Sequence, residues 1–183
     1  MNRIIVGITG ASGFIYGRKV LELLHEAGVK TELVLSDSAK YTAALEGEDP
    51  YSLKADKVYS INDFTAPIAS GSYKNLGMII APCSMRTLAC VATGNCDTLL
   101  LRAADVALKE RRRLVLMTRE SPLHAGHLKN MLAVTEMGGI IAPPVPAFYS
   151  KPESIDDIVR FSAARALDLF GIEIDIDRWG DNK

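Results

Sequence analysis

Arg119 and Glu120 stand side by side where the apolar run Leu114-Val115-Leu116-Met117 gives out. A cation and a carboxyl group at the carboxyl end of a buried strand lie where an open α/β sheet places ligand chemistry, near the crevice at a topological switch point. As a mere surface ion pair they would contribute little. The second candidate is the loop Gly10-Ala11-Ser12-Gly13, which carries almost no side-chain bulk. A ligand can approach its backbone N–H groups at the positive end of a following helix, a geometry that suits phosphate or another anion. Ser12 either caps that helix or faces the ligand as donor and acceptor. The spacing Gly10, Gly13, Gly17 satisfies neither the dinucleotide fingerprint nor the P-loop, which ends in Lys-Ser/Thr. A tight turn that needs glycine for its backbone explains the same residues.

Two further groups fall at strand ends and one at a helix end. Ser84 and Thr87, after Pro82-Cys83, are spaced to present hydroxyls and backbone donors around one bound group, although Ser84 alone reads as a helix cap. Asp37 occupies the place where a nicotinamide-binding fold holds a ribose, but Ser36 and Ser38 beside it serve equally well as caps. Glu46, at the far end of the next helix, reads on pattern alone as solvated.

The elements that must position these residues alternate along the chain. Apolar runs predict strands over 3–9, 31–35, 57–61, 78–81, 114–117 and 140–142. Helical spacing predicts helices over 13–27, 39–46, 88–92, 99–109, 121–137 and 155–170. Arg102, Asp105 and Lys109 ride on the fourth helix, Arg160 and Arg165 on the last. Between 47 and 77 the pattern weakens, broken by Pro50, Asn62, Pro67, Gly71 and Gly77. Loops of that length in a compact domain are often functional or lie at a subunit contact. Pro143-Pro144-Val145-Pro146-Ala147-Phe148-Tyr149 is too rigid and too apolar for an ordinary surface linker; its prolines favour extended backbone and hold Phe148 and Tyr149 in place. The expectation is an α/β protein: a doubly wound parallel sheet in three layers, Rossmann-like or flavodoxin-like, as one domain over 1–183. A C-terminal tail runs from about 171 and holds the single tryptophan, Trp179.

Composition narrows the function classes. A formal net charge of -1 over 183 residues argues against a nucleic-acid surface, despite the local Arg111-Arg112-Arg113 cluster. No apolar run reaches membrane-span length and Met1-Asn2-Arg3 leads straight into a strand, so a cytoplasmic protein is expected. Cys83, Cys90 and Cys96 have no C-x-x-C spacing, and His25, His124 and His127 make no zinc pattern with them. Reduced thiols and no metal are expected, with the i, i+3 pair His124 and His127 read as surface polarity.

The joint order of Gly10-Ala11-Ser12-Gly13, Pro82-Cys83-Ser84, Arg102-Ala103-Ala104-Asp105-Val106, Lys109-Glu110, Arg119-Glu120-Ser121-Pro122-Leu123-His124 and Pro143-Pro144-Val145-Pro146-Ala147-Phe148-Tyr149 resembles the UbiX-like flavin prenyltransferases. The phenolic-acid-decarboxylase branch, long described as decarboxylase small subunits, looks closest. The resemblance covers nearly the whole chain. It implies that reduced FMN is prenylated at N5 and C6 from dimethylallyl phosphate, without a metal, and that the product serves a partner aromatic or phenolic acid decarboxylase. By matching motif, Gly10, Ala11, Ser12, Ser36, Ser84, Met85, Arg86, Thr87, Arg102 and Arg119 would hold the flavin. Lys109, Arg119, Tyr149 and Arg165 would hold the prenyl phosphate, and Ser12, Glu46, Lys109 and Glu120 would join in the reaction. The resemblance also implies sites assembled between subunits of a homo-oligomer, a dodecamer.

Elementary chemistry agrees with those implied roles. Breaking an allylic C–O bond leaves a cation and a phosphate, so Lys109, Arg119 and Arg165 would meet the phosphate and Glu120 would act as acid. Tyr149 and the flavin ring would shelter the allyl cation in a pocket closed to water, with Ser12 near N5. Two other readings stand beside it. An FMN-binding accessory subunit without catalysis would not need a second phosphate site with an acid beside it. A nicotinamide-dependent reductase has Asp37 in its favour, but the glycine spacing is wrong and a Tyr-x-x-x-Lys pair is missing. The Pro-x-Met-Asn-x-x-Met-Trp segment of flavin-dependent cysteine decarboxylases is also missing.

Overall fold

A computed structural model describes residues 2–180; Met1 and residues 181–183, which the single-domain reading includes, lie outside the described residues. Six strands form one parallel sheet: β1 (Arg3–Ile8), β2 (Lys30–Leu35), β3 (Lys57–Tyr59), β4 (Gly77–Cys83), β5 (Arg113–Thr118) and β6 (Ile140–Ile141). Their order is β3-β2-β1-β4-β5-β6. The helices are α1 (Phe14–Glu26), α2 (Asp37–Leu45), α3 (Met85–Thr93), α4 (Leu99–Lys109), α5 (Ala125–Glu136) and α6 (Ile155–Asp168).

The strands are apolar on both faces because helices cover both faces. Ile4, Val6 and Ile8 of β1 enter one core with Leu23 and Leu24 of α1 and Ala163 and Leu167 of α6. Ile5 points the other way, into a second core with Met78 and Ile80 of β4, Leu100 and Ala104 of α4 and Val134 of α5. That period-two alternation sets the three layers. All seven residues of β4 are buried. At Gly17 a Cβ would fall 2.4 Å from the Ala81 carbonyl oxygen, so α1 lies tight against β4.

Order reverses between β1 and β4, since β2 and β3 lie to one side and β5 and β6 to the other. The loops leaving these two strands therefore diverge and open a crevice at their carboxyl ends. Thr9, just past β1, pins its floor. Its hydroxyl donates to the Pro82 carbonyl at 2.9 Å and accepts from the Ser84 N–H at 2.8 Å.

Some boundaries differ from the sequence pattern, each for a local reason. The fifth helix begins at Ala125, not at 121, because the His124 ring takes the cap position, its Nδ1 accepting from the Gly126 N–H at 3.0 Å. The second starts at Asp37 because Ser36 caps it. The third strand stops at Tyr59, and the weak 60–76 stretch holds only the single 3-10 turn Pro67–Ala69. The last helix ends at Asp168, before Gly171 at φ 73°. Among the described residues no helix is long and apolar enough to cross a membrane.

Candidate functional site at the switch point

Among the helices that start at the carboxyl edge of the sheet, α1 after β1, α2 after β2 and α3 after β4 flank the switch point, and their positive ends share one side of the molecule. Ser36 caps α2, accepting from the Ala39 N–H at 3.1 Å, and its Oγ lies 3.0 Å from that of Ser38. Ser84 caps α3, accepting from the Thr87 N–H at 3.2 Å with the Thr87 hydroxyl 3.1 Å away. α1 is capped differently. Gly13 (φ 104°) has no side chain to offer, and Glu46 reaches across from the end of α2 instead. Its Oε1 accepts from the Gly13 N–H at 2.7 Å and its Oε2 from the Phe14 N–H at 2.9 Å. Glu46 is exposed, as its local pattern predicts, yet both of its carboxylate oxygens are engaged. It places a carboxylate on the positive end of α1.

The 10–13 loop is held from two sides. A Cβ on Gly10 would sit 2.4 Å from that of Ser38, so only glycine lets the loop lie against α2. Ser12 is exposed at its tip, while Ala11 is buried. Arg119 continues the sheet one step past β5, its N–H donating to the Cys83 carbonyl at 3.2 Å. Its charge lowers the pKa of the Tyr16 phenol against a larger upward push from burial, so Arg119 faces the first turn of α1. Glu120 is exposed beside it, its Oε1 accepting from the Ser121 N–H at 3.0 Å. The crevice therefore combines hydroxyls, helix-end N–H groups, one guanidinium and one accessible carboxyl group. Such a donor set fits a phosphate-bearing planar ligand such as FMN, with a proton donor at its edge.

A family model described as Flavoprotein matches residues 1–167. The flavin prenyltransferase UbiX of Neisseria meningitidis serogroup B is 58% identical over 177 residues, covering 94% of this chain and 93% of its own. The chain belongs to the UbiX flavin prenyltransferase family. Among solved UbiX structures, AnUbiX (PadA1) in complex with FMN and dimethylallyl pyrophosphate superposes with TM-score 0.92 at 49% identity, covering 97% of this chain and 98% of that one. A dodecameric FMN-dependent UbiX-like decarboxylase from Escherichia coli O157:H7 gives TM-score 0.91 at 49% identity, with the same shares covered.

Not every residue that the UbiX resemblance nominates meets in the crevice of one protomer. Gly10, Ala11, Ser12, Ser36, Glu46, Ser84, Thr87, Arg119 and Glu120 gather at the carboxyl edge. Met85 packs on the α4 side of the sheet, and Arg86 reaches outward to Asp97 at 4.0 Å. Arg102 donates through Nε to the Ala69 carbonyl at 3.1 Å and pairs with Asp105 at 2.7 Å. Lys109 ends the helix that leads into β5, whereas Glu120 follows the end of that strand. Six residues of strand, roughly 20 Å, separate the two edges. Tyr149 and Arg165 belong to a second cluster, on α6. Tyr149 meets Phe161 edge-on at 5.7 Å and Trp179 at 5.1 Å, and Arg165 follows Phe161 by one turn. Asp168 pairs with Arg165 and, at 2.8 and 2.9 Å, with Arg178, which holds its carboxyl below the usual range.

Thr9 and Ser38 were not visible as site residues from sequence. Thr9 ends an apolar strand and reads as one more β-branched residue; Ser38 reads as an alternative cap. The one usable signal was the position of both at strand ends. Asp37, the ribose candidate of the reductase reading, pairs with Lys40 at 3.0 Å.

Proposed function

We propose that this chain joins the dimethylallyl group of dimethylallyl phosphate to N5 and C6 of reduced FMN, and hands the prenylated flavin to a partner aromatic or phenolic acid decarboxylase in the cytoplasm. The observation that carries this reading is the convergence of three helix N-termini and their hydroxyls on one crevice with Arg119 and Glu120 at its rim. The AnUbiX relative, solved with FMN and dimethylallyl pyrophosphate, supports a flavin and a dimethylallyl phosphate ester as the ligand pair. Gly10, Ala11, Ser12, Ser36, Ser84, Thr87 and Arg119 hold the flavin, with Met85 and Arg86 contributing backbone between Ser84 and Thr87 and Arg102 reaching the flavin of another copy. Glu46 keeps the 10–13 loop in place, so that Ser12 stands next to N5.

As the allylic C–O bond breaks, negative charge grows on the phosphate. Arg119, Arg165 and Lys109 meet that charge, and Glu120 delivers a proton to the leaving oxygen. Tyr149 offers its ring face to the allyl cation. Since Lys109 lies at the far edge of its own sheet, and Tyr149 and Arg165 lie in the cluster at α6, these residues serve the crevice of another copy. A homo-oligomer, a dodecamer as in the Escherichia coli relative, is therefore part of the proposal.

The test is anaerobic incubation of the purified protein with reduced FMN and dimethylallyl phosphate, followed by mass spectrometry of the flavin. One added prenyl unit is expected, and Glu120→Gln should slow its formation by about a hundredfold, the low end of a general acid's contribution. Unchanged mass with flavin still bound would make the chain an FMN-binding accessory subunit. Unimpaired prenylation by Glu120→Gln would remove Glu120 as the acid.

A further inference from the structure

Lys109 does not stand alone at its edge of the sheet. Its Nζ lies 2.5 Å from Oε1 of Glu110, whose carboxyl is held below the usual range by that ammonium and then by Arg112. Side chains at consecutive helix positions diverge; the two meet here because Glu110 is the C-cap, already outside α4. Under them passes Gly71. A Cβ there would fall 2.2 Å from Glu110 Oε1 and 2.7 Å from Lys109 Nζ. The Gly71 backbone is itself anchored, since Arg112 donates to the Gly71 carbonyl at 2.6 Å and to the Tyr73 carbonyl at 2.8 Å. Arg102 fastens the same strap at Ala69.

An ammonium on a free four-carbon stem would sample many positions, and an exposed ion pair contributes little to stability. A fixed strap with a glycine under the pair serves placement instead. We propose that Glu110 is a positioning residue for Lys109: seated on Gly71, it holds the ammonium in the one place from which a second copy of the chain can receive it against a prenyl phosphate. The inference rests on the assignment of Lys109 to the prenyl phosphate.

The experiment measures KM for dimethylallyl phosphate and kcat, with reduced FMN as acceptor, in Lys109→Met, Glu110→Gln, Gly71→Ala and the double variant Lys109→Met/Glu110→Gln. FMN affinity and assembly size are followed in parallel. Glu110→Gln should raise that KM about tenfold, as a small misplacement of a binding group does, while FMN affinity and assembly size stay as in the unaltered protein. Gly71→Ala keeps both charges and displaces only flexible side-chain ends, and it should raise KM in the same direction. In the Lys109→Met background Glu110→Gln should add nothing, because it acts through the missing ammonium. If Lys109→Met raises KM and Glu110→Gln does not, or if the two effects simply add, the positioning role is overturned while the Lys109 assignment stands. If Lys109→Met leaves KM unchanged, the assignment itself falls and takes the inference with it. Should Glu110→Gln fail to assemble, Gly71→Ala with and without Lys109→Met decides by the same rule.

Discussion

Thr9 is 2% exposed and carries the junction of two strands on one hydroxyl, which donates to Pro82 and accepts from Ser84. Thr9→Val keeps the shape and removes both bonds, leaving the Ser84 N–H without that acceptor. The expected loss is about 1–3 kcal/mol, the usual cost of leaving a buried donor unmet, read as a lower denaturant midpoint at unchanged slope. An unmoved midpoint would mean that water replaces the hydroxyl. At this scale the sequence was readable where chemistry and strand end coincide, as at Arg119-Glu120. It was not readable at Glu46, whose role as the cap of α1 depends on a helix 32 and 33 residues away. Nothing in the neighbourhood of a residue announces a partner brought in by the sheet.

Among the elements, α6 and the tail returning over it make the clearest pH-dependent unit. Asp168 has a carboxyl pKa lowered first by Arg178 and then by Arg165, against burial that raises it. A depressed carboxylate lends stability that is fully present above its unfolded value, about 3.9, and is lost as pH falls through the lower folded value. Trp179, the single tryptophan, lies against Tyr149 and reports on that unit. Its emission should hold steady down to about pH 4 and change below it. In Arg178→Met the change should move to higher pH; an identical midpoint would separate the tail from Asp168. Helix and strand existence was legible where apolar spacing is strong, as in α1 and α4, and less so in α5, which buries only Val134. Ends were less so, since His124 and Ser36 cap through side chains that a periodicity count treats as neutral.

Across the whole molecule, strand order limits what one copy can do alone under the proposed role of Lys109. Alternating strands and helices point to a doubly wound sheet from sequence, and the switch point between β1 and β4 then fixes where the crevice opens. That Lys109 lies at the opposite edge needed the fold itself, because along the chain it is only eleven positions from Glu120. Lys109→Met and Glu120→Gln should each turn over far more slowly than the unaltered protein, yet assembling them together from mixed unfolded chains should restore roughly a quarter of the sites if subunits exchange at random within a closed assembly. No recovery in mixed assemblies would place both residues in the same copy's site.

Under the proposed sharing of sites between copies, with Lys109 at one edge of the sheet and the crevice at the other, protein concentration becomes a hidden reactant. Mass action then governs the turnover of each chain as well as its state of association. On dilution, activity per milligram should fall while FMN stays bound to intact single chains, and it should return when the solution is concentrated again. For a cell, expression level would tune this activity more steeply than in proportion to the number of chains.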